Sequence, residues 1–264
     1  MGLSIKTGTA WSDVFAQAQT IAPEAFESDR ICNLVNGDWS KIGDTSPHAS
    51  PLDGTLIPGP PLLTGEQAFD AMSGALRQDK EWSKVSLDER KSRVAEALRL
   101  LREVRDTVAL FLVWEIGKPW STACADVDRC IDGVEWYLTQ IDRQMESRTP
   151  LNGPVSNIAS WNYPLSVLVH AELVQMLAGN AVIAKTPTQG GFHALTLAHV
   201  CMARAGLPVT LVSGSGAALS DALISSPELG ALAFVGGRSN GRKVATTLAD
   251  FRKRHILEQE GLDA

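Results

Sequence analysis

Cysteine is scarce in this chain and never closely paired. The four in 264 residues (Cys32, Cys124, Cys130, Cys201) include no C-x-x-C, which excludes a disulfide scaffold and gives no zinc signature, so they read as reduced thiols. Long apolar runs are missing too. Nothing reaches the roughly 18 consecutive apolar residues of a transmembrane helix, and the opening MGLSIKTGTAW has no apolar secretory segment. Gly2 follows Met1, but Lys6 stands where a myristoylation site needs Ser or Thr. The expectation is a cytoplasmic protein without a membrane partner. Positive charge is in deficit: Lys+Arg 24 against Asp+Glu 30 leaves a net charge of -6, the wrong sign for a nucleic-acid surface. His48, His170, His193, His199 and His255 show neither metal-ligand spacing nor a catalytic triad context, so no metal site is expected.

What is present is an ordinary globular composition, 44% hydrophobic and 20% charged, long enough for one or two domains at about 150 residues each. Residues 1–60 are rich in turn chemistry, with Pro47, Pro51, Asp53-Gly54 and Pro58-Gly-Pro-Pro61, and read as an extended N-terminal arm. Residues 61–145 read as a helical segment. Thr64-Gly-Glu-Gln67 and Ser86-Leu-Asp-Glu89 each fit a capping box that opens a helix. A third helix begins after Asp106 and stops at Gly117, and a fourth carries Val127, Ile131, Val134, Leu138 and Ile141 as one buried stripe.

From residue 155 the rhythm changes. Apolar runs at 155–159, 181–184, 209–212, 232–235 and 255–257 alternate with helical stretches near 164–178, 191–205, 217–225 and 240–250. Strands alternating with helices predict an α/β fold with a doubly wound, mainly parallel Rossmann-like sheet over residues 155–264. Such sheets bind ligands beyond the carboxyl ends of their strands, so the loops after these runs are the candidates.

After the first run, Asn162 precedes Pro164 and either caps the coming helix or offers its amide to an oxyanion. After the second, Lys185 is either a solvated strand end or a cation placed for a phosphate or sugar hydroxyl. Gly214-Ser-Gly216 falls short of a dinucleotide fingerprint because Leu219 stands where Gly or Ala is needed. Gly236 and Gly241 have Walker A spacing, but Arg242-Lys243 replaces its Lys-Ser/Thr, which rejects a nucleoside triphosphatase. What remains is a glycine turn suited to close approach of a pyrophosphate. Glu258 ends the fifth run, as a general base or as an exposed glutamate.

The order and spacing of Trp161-Asn-Tyr-Pro-Leu165, Ala178-Gly-Asn-Ala-Val182, Lys185, Ala205-Gly-Leu-Pro208, Phe234-Val-Gly236 with Gly241-Arg242, and Leu257-Glu258 resemble the aldehyde dehydrogenase superfamily. Val35-Asn-Gly-Asp-Trp39, Ser50-Pro51 with Asp53-Gly54, and Glu115-Ile-Gly-Lys-Pro119 extend the resemblance to about residues 31–260. It implies the coenzyme-binding half of an NAD(P)-dependent oxidoreductase that converts an aldehyde to a carboxylic acid by hydride transfer, with an atypical Rossmann arrangement that dispenses with G-x-G-x-x-G. The cofactor-binding set it implies is Ser160, Trp161, Lys185 at the adenosine ribose, Thr188, Gly216, and Phe234, Gly236 and Gly237 at the pyrophosphate. Its catalytic residues are Asn162, steadying an oxyanion, and Glu258, activating a thiol or a water.

The chain also departs from the family pattern. Gly237 replaces a Ser, and Thr188 replaces a Glu that would repel a 2′-phosphate, which leaves NAD and NADP both open. Gln259-Glu-Gly-Leu262 replaces Leu-Gly-Gly-Lys, and Met145 to Pro154 is shorter than the family's oligomerisation strand. The chain stops at Ala264, ahead of the family's catalytic cysteine. The thiol domain is therefore expected to be absent and this chain alone inactive. The expected partners are the dinucleotide, an aldehyde only together with the catalytic half, and possible copies of the chain in a homo-oligomer. The alternatives are a catalytically dead nucleotide-binding or scaffold homologue, and half of an acyl-CoA or acyl-phosphate reductase.

Overall fold

Regular structure begins inside the segment expected to be an extended arm. In the computed structural model, which describes residues 9–27, 30–250 and 252–259, α1 spans Trp11–Ile21. Trp11, Val14, Phe15 and Ala18 recur at helical spacing and are buried, so one apolar stripe forms this helix without a side-chain cap. The chain then makes a hairpin, β1 (Asn33–Val35) and β2 (Asp38–Ser40). It turns on Asn36 and Gly37, with φ of 58° and 88°, the left-handed pair that Asn-Gly adopts readily. Four two-residue strands follow: β3 (Asp44–Thr45), β4 (His48–Ala49), β5 (Leu56–Ile57) and β6 (Pro61–Leu62). β3 pairs with β6 and β4 with β5, both antiparallel.

Four helices come next: α2 (Gly65–Trp82), α3 (Leu87–Glu103), α4 (Arg105–Ile116) and α5 (Trp120–Met145). Thr64 forms a full capping box with Gln67, the two bonds being 2.8 and 3.3 Å. The box at Ser86 is only half made. Ser86 Oγ accepts the Glu89 N–H at 3.3 Å, while the Glu89 carboxylate instead takes Arg93 Nε at 2.7 Å. Gly117 ends α4 at φ 68°, the left-handed C-terminal geometry that glycine allows.

The remaining elements alternate. β7 (Val155–Ile158) leads through a π-helical turn, Pro164–Val169, into α6 (His170–Leu177). Then come β8 (Val182–Lys185), α7 (Phe192–Arg204), β9 (Val209–Val212), α8 (Gly216–Ser220) running into a second π-helical turn Asp221–Ser225, β10 (Ala231–Gly236), α9 (Arg238–Asp250) and β11 (Arg254–Gln259). The sheet order is β11-β10-β7-β8-β9-β1-β2. The first five run parallel, and the hairpin is added antiparallel to β9.

Both faces of this sheet are covered. Along β8, Val182 and Ala184 enter a large apolar cluster with α1 and α3 to α7, while Ile183 points into a second cluster with α2, α8 and α9. Two-sided burial explains why the strands read as continuous apolar runs rather than alternating ones. The fold is therefore a doubly wound α/β sheet, as expected.

One buried carboxylate ties the helical segment to the starts of the strands. Asp79 of α2 accepts the Gly153 N–H at 3.2 Å and the Ala181 N–H at 2.9 Å, just ahead of β7 and β8. Burial pushes its pKa up against the pull of these bonds. Asp79→Ala leaves two donors unsatisfied and is expected to cost about 2–4 kcal/mol. Urea unfolding of the variant checks this, and a loss below about 0.5 kcal/mol would show the donors finding other partners.

Candidate functional site

At the carboxyl ends of β7, β8 and β10 lies a cleft of about 670 Å³, within the size range of small-molecule sites. Its walls come from the loops after those strands, from α8, and from the first turns of α9. All eight residues expected to face a cofactor line it: Ser160, Trp161, Lys185, Thr188, Gly216, Phe234, Gly236 and Gly237. Asn240, Lys243 and Thr247 of α9 line it as well and were not singled out from the sequence. The signal available was their spacing down one face of the helix that follows the glycine turn.

The glycines of the site differ in role. A Cβ on Gly236 would lie 2.9 Å from the Phe234 ring, so the turn folds back on its own aromatic residue. A Cβ on Gly214 would lie 2.9 Å from Leu219. The buried Leu219 side chain thus fills the space that a fingerprint glycine would leave open. Gly216 has nothing within 4 Å of that position, and Ser215 caps α8 by accepting the Ala218 N–H at 3.1 Å.

Lys185 is not a solvated strand end. It is 7% exposed, its Nζ donates to the Thr186 carbonyl at 2.9 Å, and burial lowers its pKa to about 8. Lys185 and Lys243 are the two charged residues among the lining, which includes no Asp or Glu. Thr188 Oγ1 donates to Gln189 Oε1 at 3.1 Å. The cleft is thus a cationic and otherwise neutral container, apolar at Ile158, Leu223 and Phe234. That chemistry suits an anionic ligand with flat apolar parts.

The two expected catalytic residues are not in the lining. Asn162 is exposed, and its Oδ1 accepts the Ser160 hydroxyl at 2.6 Å. It does not cap the following helix: Tyr163 occupies the capping position without a side-chain bond, and Asp126 of α5 accepts the Ser166 N–H at 2.9 Å instead. Glu258 is exposed on β11, opposite the lining residue Val235. Beyond it, Glu260, Gly261 and Leu262 fall outside the described residues. Among the described residues no group of three or more His, Cys, Asp or Glu could hold a metal ion, and no helix is long and apolar enough to cross a membrane. All four cysteines are buried away from the cleft lining, and burial pushes the Cys201 thiol up to about 12.

Comparison with known proteins places this geometry in a family. The model of the aldehyde dehydrogenase family matches residues 39–264. The chain belongs to that family. A curated aldehyde dehydrogenase relative, 1-pyrroline-5-carboxylate dehydrogenase of Staphylococcus saprophyticus, is 26% identical over 260 residues, covering 90% of this chain and 50% of its own length. Among solved structures, 1-pyrroline-5-carboxylate dehydrogenase from Thermus with bound NAD superposes with a TM-score of 0.82 at 21% identity, covering 99% of this chain and 55% of that one. NADP-dependent glyceraldehyde-3-phosphate dehydrogenase from Bacillus halodurans, complexed with NADP, gives 0.81 at 24%, covering 89% and 53%. This member of the aldehyde dehydrogenase family therefore spans about half the length of the curated relatives it matches.

The depressed pKa of Lys185 has a stability consequence. Between about 8 and its ordinary 10.5 the unfolded chain binds a proton that the folded chain does not, so this group makes stability rise with pH across that window. Below pH 8 the buried ammonium is a standing cost. Lys185→Met is expected to melt higher than the wild type at pH 7, with the difference shrinking as pH rises from 8 to 10.5. Thermal melts at pH 7, 9 and 10.5 check this, and a difference independent of pH would overturn it.

Proposed function

We propose that this chain is the coenzyme-binding portion of an NAD(P)-dependent aldehyde dehydrogenase. The observation that carries the reading is the convergence of eight residues, from the segments at and beyond the carboxyl ends of β7, β8, β9 and β10, on one cleft with two lysines and no carboxylate. The fit to a dinucleotide is chemical. Lys243 answers its phosphates and Lys185 its ribose hydroxyls, the bare Gly236-Gly237 turn admits a pyrophosphate against the backbone ahead of α9, and Ile158, Leu223 and Phe234 offer apolar surface to its rings. When bound, the dinucleotide supplies the hydride acceptor. The residues of the chain bind it, orient it and exclude water around it.

On this reading Lys185 contacts the adenosine ribose, Asn162 donates its amide to the oxyanion at the reacting carbonyl, and Glu258 is the base that activates a thiol or a water. Each of the last two adjoins the cleft through a neighbour, Ser160 and Val235 respectively. With all four thiols buried away from the cleft, oxidation of an aldehyde requires a nucleophile other than these cysteines. A second reading, a catalytically silent nucleotide-binding homologue, draws on the same burial and on Gly237, which offers no hydroxyl to a phosphate.

Titration calorimetry with NAD and NADP tests the common core of both readings. Binding with a dissociation constant of roughly micromolar order is expected, and no heat with either dinucleotide would sink the reading. Lys185→Ala should weaken binding by about 1–3 kcal/mol if its ammonium makes a charge-assisted bond. Because no lining carboxylate opposes a 2′-phosphate, NADP is expected to bind at least as tightly as NAD. Thr188→Glu should then weaken NADP about tenfold through like-charge repulsion while sparing NAD. Equal effects on the two cofactors would show that Thr188 does not face that phosphate.

A further inference from the structure

Two of the helices that follow the cleft loops have no side-chain caps of their own. Tyr163 precedes the π-helical turn and Gly191 precedes α7, and neither makes a side-chain bond to a first-turn N–H. Those donors need partners from elsewhere, and in both cases a fully buried carboxylate supplies one. Asp126 Oδ1 accepts the Ser166 N–H at 2.9 Å. Glu115 accepts the His193 N–H at 3.0 Å and the Ala194 N–H at 3.3 Å. The loop from Ser160 to Tyr163 thus hangs on Asp126, and the loop from Thr186 to Gly191 hangs on Glu115.

The two carboxylates are partnered differently. Glu115 meets His193 Nδ1 at 2.9 Å. Asp126 Oδ2 meets Lys118 Nζ at 2.7 Å, and the Lys118 side chain is itself only 9% exposed. The same ammonium lies 4.0 Å from the centre of the Tyr163 ring, a cation–π distance. Lys118 comes directly after Gly117, so Glu115 and Lys118 lie at the end of a single helix, α4, and from it reach two adjoining loops of the cleft, which meet where Gly191 approaches Pro164.

We propose that Lys118 is a positioning residue for the cleft: it holds the Asp126 carboxylate in place as the cap of the Pro164 turn and presses on Tyr163, so fixing the Ser160–Tyr163 wall, while Glu115 fixes the Thr186–Gly191 wall. A buried carboxylate stripped of its cation is left uncompensated, which is strongly disfavoured. Without Lys118 the Asp126 carboxylate is no longer held against the Ser166 N–H, and the first turn loosens together with the loop that carries Ser160, Trp161 and Asn162. The consequence for ligand binding rests on the coenzyme reading above, but the geometry does not.

Hydrogen exchange followed by mass spectrometry, well below the melting temperature, separates the possibilities. Lys118→Met should speed exchange at amides 165–169 about tenfold or more and leave amides 192–197 within about twofold. Glu115→Gln should do the reverse, and Lys118→Arg should restore the wild-type pattern at 165–169. Equal acceleration in both segments would reduce Lys118 to a general stabiliser and overturn the proposal, as would no change at 165–169. Should Lys118→Met fail to fold, Tyr163→Leu takes its place with the same two outcomes. Dinucleotide affinity supplies the functional arm, with Lys118→Met weakened about tenfold and Lys118→Arg recovered. A wild-type chain that binds neither NAD nor NADP overturns the coenzyme reading and not the positioning. A wild type that binds, beside a Lys118→Met variant that binds equally well, overturns the positioning role in binding.

Discussion

A carboxylate in a protein interior must be partnered, and the placement of the loops in this chain depends on that requirement. Asp79, Glu115 and Asp126 are buried, and each accepts backbone N–H groups of a different part of the chain. Asp79 fixes how β7 and β8 begin. Glu115 and Asp126 fix the helices that follow those strands. The strands are thus held at both ends by charges that lie outside the sheet, and the loops between strand and helix inherit their positions. Apolar packing sets the layers, but packing is non-directional. The directional part of the architecture comes from these few bonds.

The cleft inherits its character from the same arrangement. With the acidic side chains taken into the helical layer, the carboxyl ends of the strands carry cations and bare glycine turns. An acidic chain of net charge -6 therefore presents a locally positive concavity. Lys185 adds to it at a cost to stability, since its ammonium is buried beside nothing more than a backbone carbonyl. A group kept in place against its own solvation is a frequent mark of a functional position.

Most of the doubly wound sheet was legible in the sequence, because parallel strands buried on both faces leave continuous apolar runs, and the helices packed on it leave stripes such as Val127, Ile131 and Val134 of α5. The residues lining the cleft were legible through loop position and family resemblance together. Less so was α1, whose stripe starts without a capping residue. The hairpin was missed although Asn36-Gly37 is a strong local turn signal, because its strands are only three residues long. Asn162 was weighed as a local cap, yet the cap comes from Asp126, forty residues away in the chain. The partner of a buried carboxylate is decided by tertiary packing. Nothing in the run around Glu115 or Asp126 distinguishes them from surface acids.

The hairpin has a kinetic side. Leu34 of β1 lies opposite Leu211 of β9, so the hairpin pairs with a strand that is made long after it. Until residue 211 has been made, β1 presents an unpaired edge and the buried face of Leu34 has no permanent cover. Closing so distant a contact is slow compared with winding the local helices between, and the waiting edge is a site for chaperones or for self-association. The pairing that completes one flank of the sheet is thereby also a late event in folding, joining two stretches of chain that synthesis separates widely in time.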